Sequence, residues 1–170
     1  MIKSTKGSSK LSLESYFLRY AFPCTYVIKQ RGEISQKTFD LLEQAALRNK
    51  PVKRELLEKT YKKAFERMKR VAASMKKRNF WSFEVVKEYF TRRHNKMIDD
   101  GDGSYAIAPK VFRELCKVHL AEIIDSKDGF FIVKYGKGKT RVVASHYLPQ
   151  ANIGDKIMIH HGYAVEIAED

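Results

Sequence analysis

The sequence is poor in cysteine, and Cys24 and Cys116 are its only thiols. Two cysteines cannot form a disulfide framework, which favours a reducing compartment and a fold stabilised by its core. The sequence also lacks any apolar run of 18 residues, so no transmembrane helix is expected. Residues 1–10 are polar and lysine-rich, and we predict a flexible basic tail there and no secretory signal. These absences predict a cytoplasmic protein without a membrane partner.

Motifs of catalysis and nucleotide binding are also missing. The glycine-rich segment at residues 136–140 lacks the first glycine of a phosphate-binding loop, because Val133 occupies that position. The acidic segment at residues 99–104 lacks the final glutamate of a calcium loop, since that position is Val111. No nucleophile elbow and no Ser/His/Asp set is visible. We therefore predict that the protein is not an enzyme.

The charge is strongly positive and unevenly distributed. The net charge is +13; residues 1–110 contain 25 Lys/Arg and 12 Asp/Glu, whereas residues 111–170 contain 8 of each. Such an excess favours binding to nucleic acid or to an acidic protein surface, although a solvated basic helix face would look the same. The candidate binding residues are Lys53, Arg54, Lys62, Lys63, Arg67, Lys69, Arg70, Lys76, Lys77 and Arg78.

The hydrophobic periodicity changes from helical to strand-like along the chain. Caps at Ser12, Ser35 and Ser82 and apolar residues at helical spacing predict helices, including a long one over residues 53–77. Pro23 is expected to end the first helix. After Cys116 the period becomes two, and five short strands separated by turn signals indicate a small barrel. We predict an α+β fold, with a basic helical domain at 11–108 and a barrel domain at 109–170.

Thiols and imidazoles occur where they can be metal ligands. Cys116 and His119 lie three residues apart at the predicted helix–strand junction, and Cys24 and His94 lie in the helical region. These residue types bind zinc, iron or nickel, so a Cys2His2 site joining helices and barrel is possible; Cys24 and His94 as ordinary core residues are the alternative. For the adjacent pair His160 and His161 we expect opposite orientations and structural roles.

The barrel sequence has a distinctive pattern in Arg141-Val142-Val143 and in the segment from Leu148 to Glu166. In these residues it resembles the HypC/HupF family of hydrogenase-maturation chaperones, and the resemblance covers about 55 of the 170 residues. The resemblance implies an OB-like barrel, a maturation-factor partner and transfer of an iron centre to a hydrogenase subunit. The family's essential cysteine falls on Cys116 and its histidine on His160. In the family that cysteine is N-terminal, whereas 115 residues precede it here.

Two functions follow from these features. The first is a metallocentre-assembly chaperone or accessory protein that binds iron or zinc, or a partner, through Cys116, with His119 or His160 assisting. Its partner would be a maturation factor or a metalloenzyme subunit. The alternative is a nucleic-acid or ribonucleoprotein-binding protein that uses the basic helices, with the barrel as a structural or protein-docking module.

Overall fold

The computed structural model describes residues 11–169, so the tail predicted at residues 1–10 lies outside it. The helices are α1 Leu13–Ala21, α2 Thr25–Gln30, α3 Gln36–Leu47, α4 Arg54–Thr60, α5 Lys62–Ser74, α6 Phe83–Glu88, α7 His94–Asp99 and α8 Lys110–Cys116. The strands are β1 Val118–Lys127, β2 Phe130–Tyr135, β3 Lys139–Ala144, β4 Lys156–His160 and β5 Tyr163–Ile167. Helices followed by a small five-stranded barrel confirm the predicted α+β class.

The barrel closes in the order β1-β2-β3-β5-β4, with β4 pairing back onto β1. The β3–β5 pair is parallel and the others are antiparallel. Val118 at the start of β1 lies opposite His160 at the end of β4. This register brings the end of α8, directly before β1, close to the turn that joins β4 to β5.

Three of the predicted helix starts are confirmed by their caps. The side chains of Ser12, Ser35 and Ser82 each accept a hydrogen bond from a backbone N–H in the first turn of the helix that follows. The first helix ends before Pro23 as expected: α1 stops at Ala21, and a 3-10 turn through Pro23 leads directly into α2. Proline fits this turn because it lies in the first positions, where no internal N–H donor is needed.

The long helix predicted over residues 53–77 is interrupted at Tyr61. Its backbone has φ −105° and ψ 43°, which separates α4 from α5. The Tyr61 ring is buried against Phe17 at a centroid distance of 5.6 Å, and its hydroxyl lies 2.6 Å from Thr25 Oγ1. These contacts come from distant parts of the chain, so the helical spacing in the sequence could not reveal the break.

A π-helical turn at residues 89–93 connects α6 to α7. Such turns insert an extra residue into a helix and change which side chains face inward. Here Tyr89, Phe90 and His94 are all buried. The amide of Asn95 then holds the first residue of the barrel, donating to the Val118 carbonyl at 2.6 Å and accepting from the Val118 N–H at 2.8 Å.

The hydrophobic core is continuous between the helices and the barrel. Tyr16 and Tyr20 of α1 both donate hydrogen bonds to one carboxylate oxygen of Glu166 in β5, at 3.1 and 2.5 Å. The division into domains at 11–108 and 109–170 stays a prediction, but the two parts pack as neighbours. No helix within residues 11–169 has both the length and the apolar composition needed to cross a membrane.

Candidate functional site

His160 is fully buried at the end of β4, and its two ring nitrogens have different surroundings. Nδ1 lies 2.6 Å from the backbone oxygen of Tyr20. Because a carbonyl oxygen only accepts hydrogen bonds, Nδ1 carries the proton and donates it, which leaves a lone pair on Nε2. Metal-binding histidines usually have this arrangement, in which a backbone carbonyl fixes the tautomer. Nε2 faces Cys24 Sγ at 3.5 Å.

Cys24 ends the 3-10 turn after α1, and it is half-buried beside the barrel. Burial raises the pKa of its thiol well above the usual range, and the charge of Cys116 acts in the same direction. The guanidinium of Arg67 acts against this rise. The thiol is therefore protonated at neutral pH, and a metal ion bound there would displace its proton.

His161 is a candidate metal ligand that the sequence analysis did not select. Alternation along a strand predicts that His160 and His161 point to opposite sides. However, His161 follows the last residue of β4 and has a φ of +51°, in the left-handed region. The ligand atoms of Cys24, His160 and His161 all lie within 4.8 Å of one another. Within the described part of the chain, the buried Nε2 of His161 has no hydrogen-bond partner.

This cluster lines a cavity of about 330 Å³ between the helices and the barrel. The thiols and imidazoles in its wall are those of Cys24, His94, Cys116, His160 and His161. The structure thus places four of the five predicted metal ligands around one cavity. Cys116 is buried, and burial raises its pKa to about 11, although a hydrogen bond with Tyr105 opposes the rise.

The imidazoles of this cavity are neutral at physiological pH. Burial, followed by the charge of Arg67, lowers the pKa of His94 to about 3. Burial and then Arg141 lower the pKa of His161 to about 4. The pKa of His160 is also well below its usual value, through burial and the two neighbouring histidines. Neutral imidazoles are the form that binds metal ions, so the site retains its nitrogen donors even in weak acid.

His94 contributes a second unsatisfied nitrogen beside the cluster. Its ring centroid lies 5.2 Å from that of His160, and its buried Nδ1 has no hydrogen-bond partner within residues 11–169. The fifth predicted ligand, His119, is placed elsewhere. It lies on β1 opposite Ile159, and its ring packs against Tyr135 at 4.8 Å, away from the cavity wall.

Arg67 differs from the other cations predicted to form a binding face. It is only 7% exposed and lines the cavity, with Nε 2.6 Å from the Asp102 carboxylate. Arg70 is exposed and reaches the same carboxylate at 2.8 Å. Arg54 is half-buried, and the remaining predicted cations are exposed. Arg67 is therefore buried in the wall of the cavity, whereas Lys62 and Lys63 also line the cavity but are exposed.

The distance between Cys24 Sγ and His160 Nε2 suits two ligands of one transition-metal ion. Zinc–sulfur and zinc–nitrogen bonds of about 2.3 and 2.0 Å at a tetrahedral angle separate sulfur from nitrogen by about 3.5 Å. The observed separation between Cys24 Sγ and His160 Nε2 is 3.5 Å.

Comparisons of the chain with protein-family models, curated proteins and solved structures find no match. The HypC/HupF resemblance therefore stays a prediction.

Proposed function

We propose that the protein binds a zinc or iron ion through Cys24, His160 and His161 and acts as an accessory protein in the assembly of a metalloenzyme centre. The convergence of these three ligand atoms within 4.8 Å is the observation that supports it. One ligand comes from the turn after α1 and two come from the end of the barrel. An ion at this position would connect the two parts of the chain.

The ligand set favours an ion that can be transferred to a partner protein. Three protein ligands leave a fourth position open in tetrahedral coordination, as in sites that exchange their remaining ligand. Cys116 and His94 line the same cavity and are available for that position. In this proposal Cys116 is a transient ligand during transfer, and a maturation factor or metalloenzyme subunit receives the ion.

The first experiment measures metal content after anaerobic purification, by elemental analysis with added zinc or ferrous iron. We expect about one equivalent in the natural protein and loss of metal in His161→Asn. Asparagine tolerates the left-handed backbone of this position, so the variant removes the imidazole with little strain. His146→Asn on the exposed surface is the matched control and should retain the metal. Equal metal content in all three proteins would contradict the proposal.

A second experiment separates a transferable ion from a structural one. A chelator is added to the loaded protein, and circular dichroism is recorded as the metal leaves. Proteins that depend on structural zinc unfold when it is removed. The core here is extensive without the ion, so we expect the spectrum to persist. Unfolding on chelation would argue for a structural site and against an accessory role.

Cys116 is tested in the same way. As a transient ligand it should be dispensable at rest, so Cys116→Ala should retain the metal while releasing it to the chelator at an altered rate. If Cys116→Ala lost as much bound metal as Cys24→Ala, Cys116 would be a permanent ligand instead.

A further inference from the structure

A group of aromatic and cationic side chains lies on the helical part, around the loop between α5 and α6. Phe80 is partly exposed there, and two cations lie close to its ring. The guanidinium carbon of Arg54 is 5.1 Å from the centroid of the Phe80 ring, and Lys69 Nζ is 5.2 Å from it. Arg54 also lies 5.4 Å from the ring of Trp81, so two aromatic rings hold its guanidinium in place.

Three consecutive cations precede this aromatic residue. Lys76, Lys77 and Arg78 are all exposed, and Lys76 adopts a left-handed backbone (φ +56°) just after α5. Lys77 pairs with Glu84 at 2.9 Å. Lys76 and Arg78 have no acidic partner within 4.0 Å in the part of the chain that the structure describes. Two positive charges thus remain available beside the aromatic platform.

We propose that this surface, which we call the Phe80 surface, binds single-stranded nucleic acid. It consists of Arg54, Lys69, Lys76, Lys77, Arg78 and Phe80. Lys76 and Arg78 would contact backbone phosphates, while a base stacks on the Arg54–Phe80 pair. Proteins that bind single strands without sequence preference combine these two elements, a positive groove and an aromatic platform.

The aromatic ring of Phe80 favours single-stranded nucleic acid over an acidic protein as the ligand of this surface. An acidic surface needs only cations, whereas every nucleobase has a flat face that can stack on an aromatic ring or on a guanidinium. The location is also independent of the metal cavity, because none of the six residues lines it. The Phe80 surface would therefore bind its ligand separately from the proposed metal site.

The test measures binding of a fluorescently labelled 20-nucleotide U-tract RNA and a matching T-tract DNA by anisotropy, at 50 to 300 mM salt. For a single strand, the slope of log affinity against log salt falls in magnitude by about 0.7 for each phosphate that the protein no longer neutralises. The double variant Lys76→Gln/Arg78→Gln should therefore lower the magnitude of the slope by about 1.4. Lys127→Gln/Lys137→Gln removes the same charge from exposed barrel turns and is the matched control.

Phe80→Leu gives a different signature, because it removes the aromatic ring and keeps an apolar side chain. We expect about 5-fold or greater weakening, from the cost of losing one stacked base, with an unchanged salt slope. Thermal unfolding of each variant confirms that it is folded. His161→Asn should bind the oligonucleotides normally, which separates this proposal from the metal site.

Three outcomes would overturn the proposal. The first is no saturable binding of either oligonucleotide at 50 mM salt. The second is the same loss of affinity in the barrel control as in the Lys76/Arg78 variant, which would indicate general charge attraction. The third is equal competition by polyglutamate at matched charge, which would identify an acidic protein as the partner.

Discussion

Acidification should destabilise the metal-free protein strongly between pH 7.5 and pH 5. The cause is the set of buried histidines around the cavity, which are neutral in the folded state. Burial and then Arg67 lower the pKa of His94 to about 3, and burial and then Arg141 lower that of His161 to about 4. In the unfolded chain each regains its ordinary pKa of about 6.5.

The direction of this change in stability follows from the difference in proton binding between the folded and unfolded states. Below about pH 6.5 the unfolded chain binds protons at these histidines and the folded protein does not, so unfolding becomes more favourable as the pH falls. The stabilisation is complete above pH 6.5 and is lost progressively towards the folded pKa values. At pH 5 the loss is about 2 kcal/mol for each of His94 and His161, or about 4 kcal/mol together. His160 acts in the same direction, because its pKa is also lowered.

This loss is large compared with the total stability of about 5–15 kcal/mol that is typical of such domains. The assay is urea unfolding in the presence of a chelator at pH 5.0, 6.0 and 7.5, followed by circular dichroism. Near pH 5, two histidines give a slope of about 2.7 kcal/mol per pH unit. His94→Leu should reduce the measured slope by about 1.4 kcal/mol per pH unit, whereas the exposed control His146→Gln should leave it unchanged. A loss below about 1 kcal/mol, or equal slopes in all three proteins, would refute the reasoning.

Two further predictions concern ligand binding and the contact between helices and barrel. Zinc at 100 times its dissociation constant should stabilise the natural protein by about 2.7 kcal/mol at neutral pH, measured as a rise in melting temperature that is absent in His161→Asn. Tyr20→Phe removes the 2.5 Å hydrogen bond to Glu166 and should cost about 1.5–3 kcal/mol in urea unfolding. Tyr26→Phe at an exposed position is its control, with an expected change within about 0.5 kcal/mol; equal costs would contradict the role of the Glu166 contact.

Local signals in the sequence were sufficient for much of the fold. Ser12, Ser35 and Ser82 start helices because a serine hydroxyl satisfies a backbone N–H of the first turn, and this depends only on neighbouring residues. The strands likewise follow from alternation and turn residues. The break at Tyr61 could not be predicted, because its side chain is fixed by Thr25 and Phe17, which are distant in the chain.

The candidate site was only partly predictable for a related reason. Cys24, His94, Cys116 and His160 attract attention by residue type, and all four line the cavity. The sequence could not show that Cys24 faces His160, because 136 positions separate them and their contact depends on how α1 packs on the barrel. Strand alternation predicts the wrong orientation for His161, because this residue lies one position beyond the end of β4, where the backbone turns into the left-handed region.

The geometry of the site depends on α1 as much as on the barrel. The backbone oxygen of Tyr20 fixes the tautomer of His160, and the hydroxyl of the same residue anchors α1 to Glu166 in β5. The next turn of chain then places Cys24 opposite the free nitrogen of His160. A barrel separated from its helices would keep two imidazoles but lack the thiol and the carbonyl that orients one of them. The helical region is therefore part of the candidate metal site.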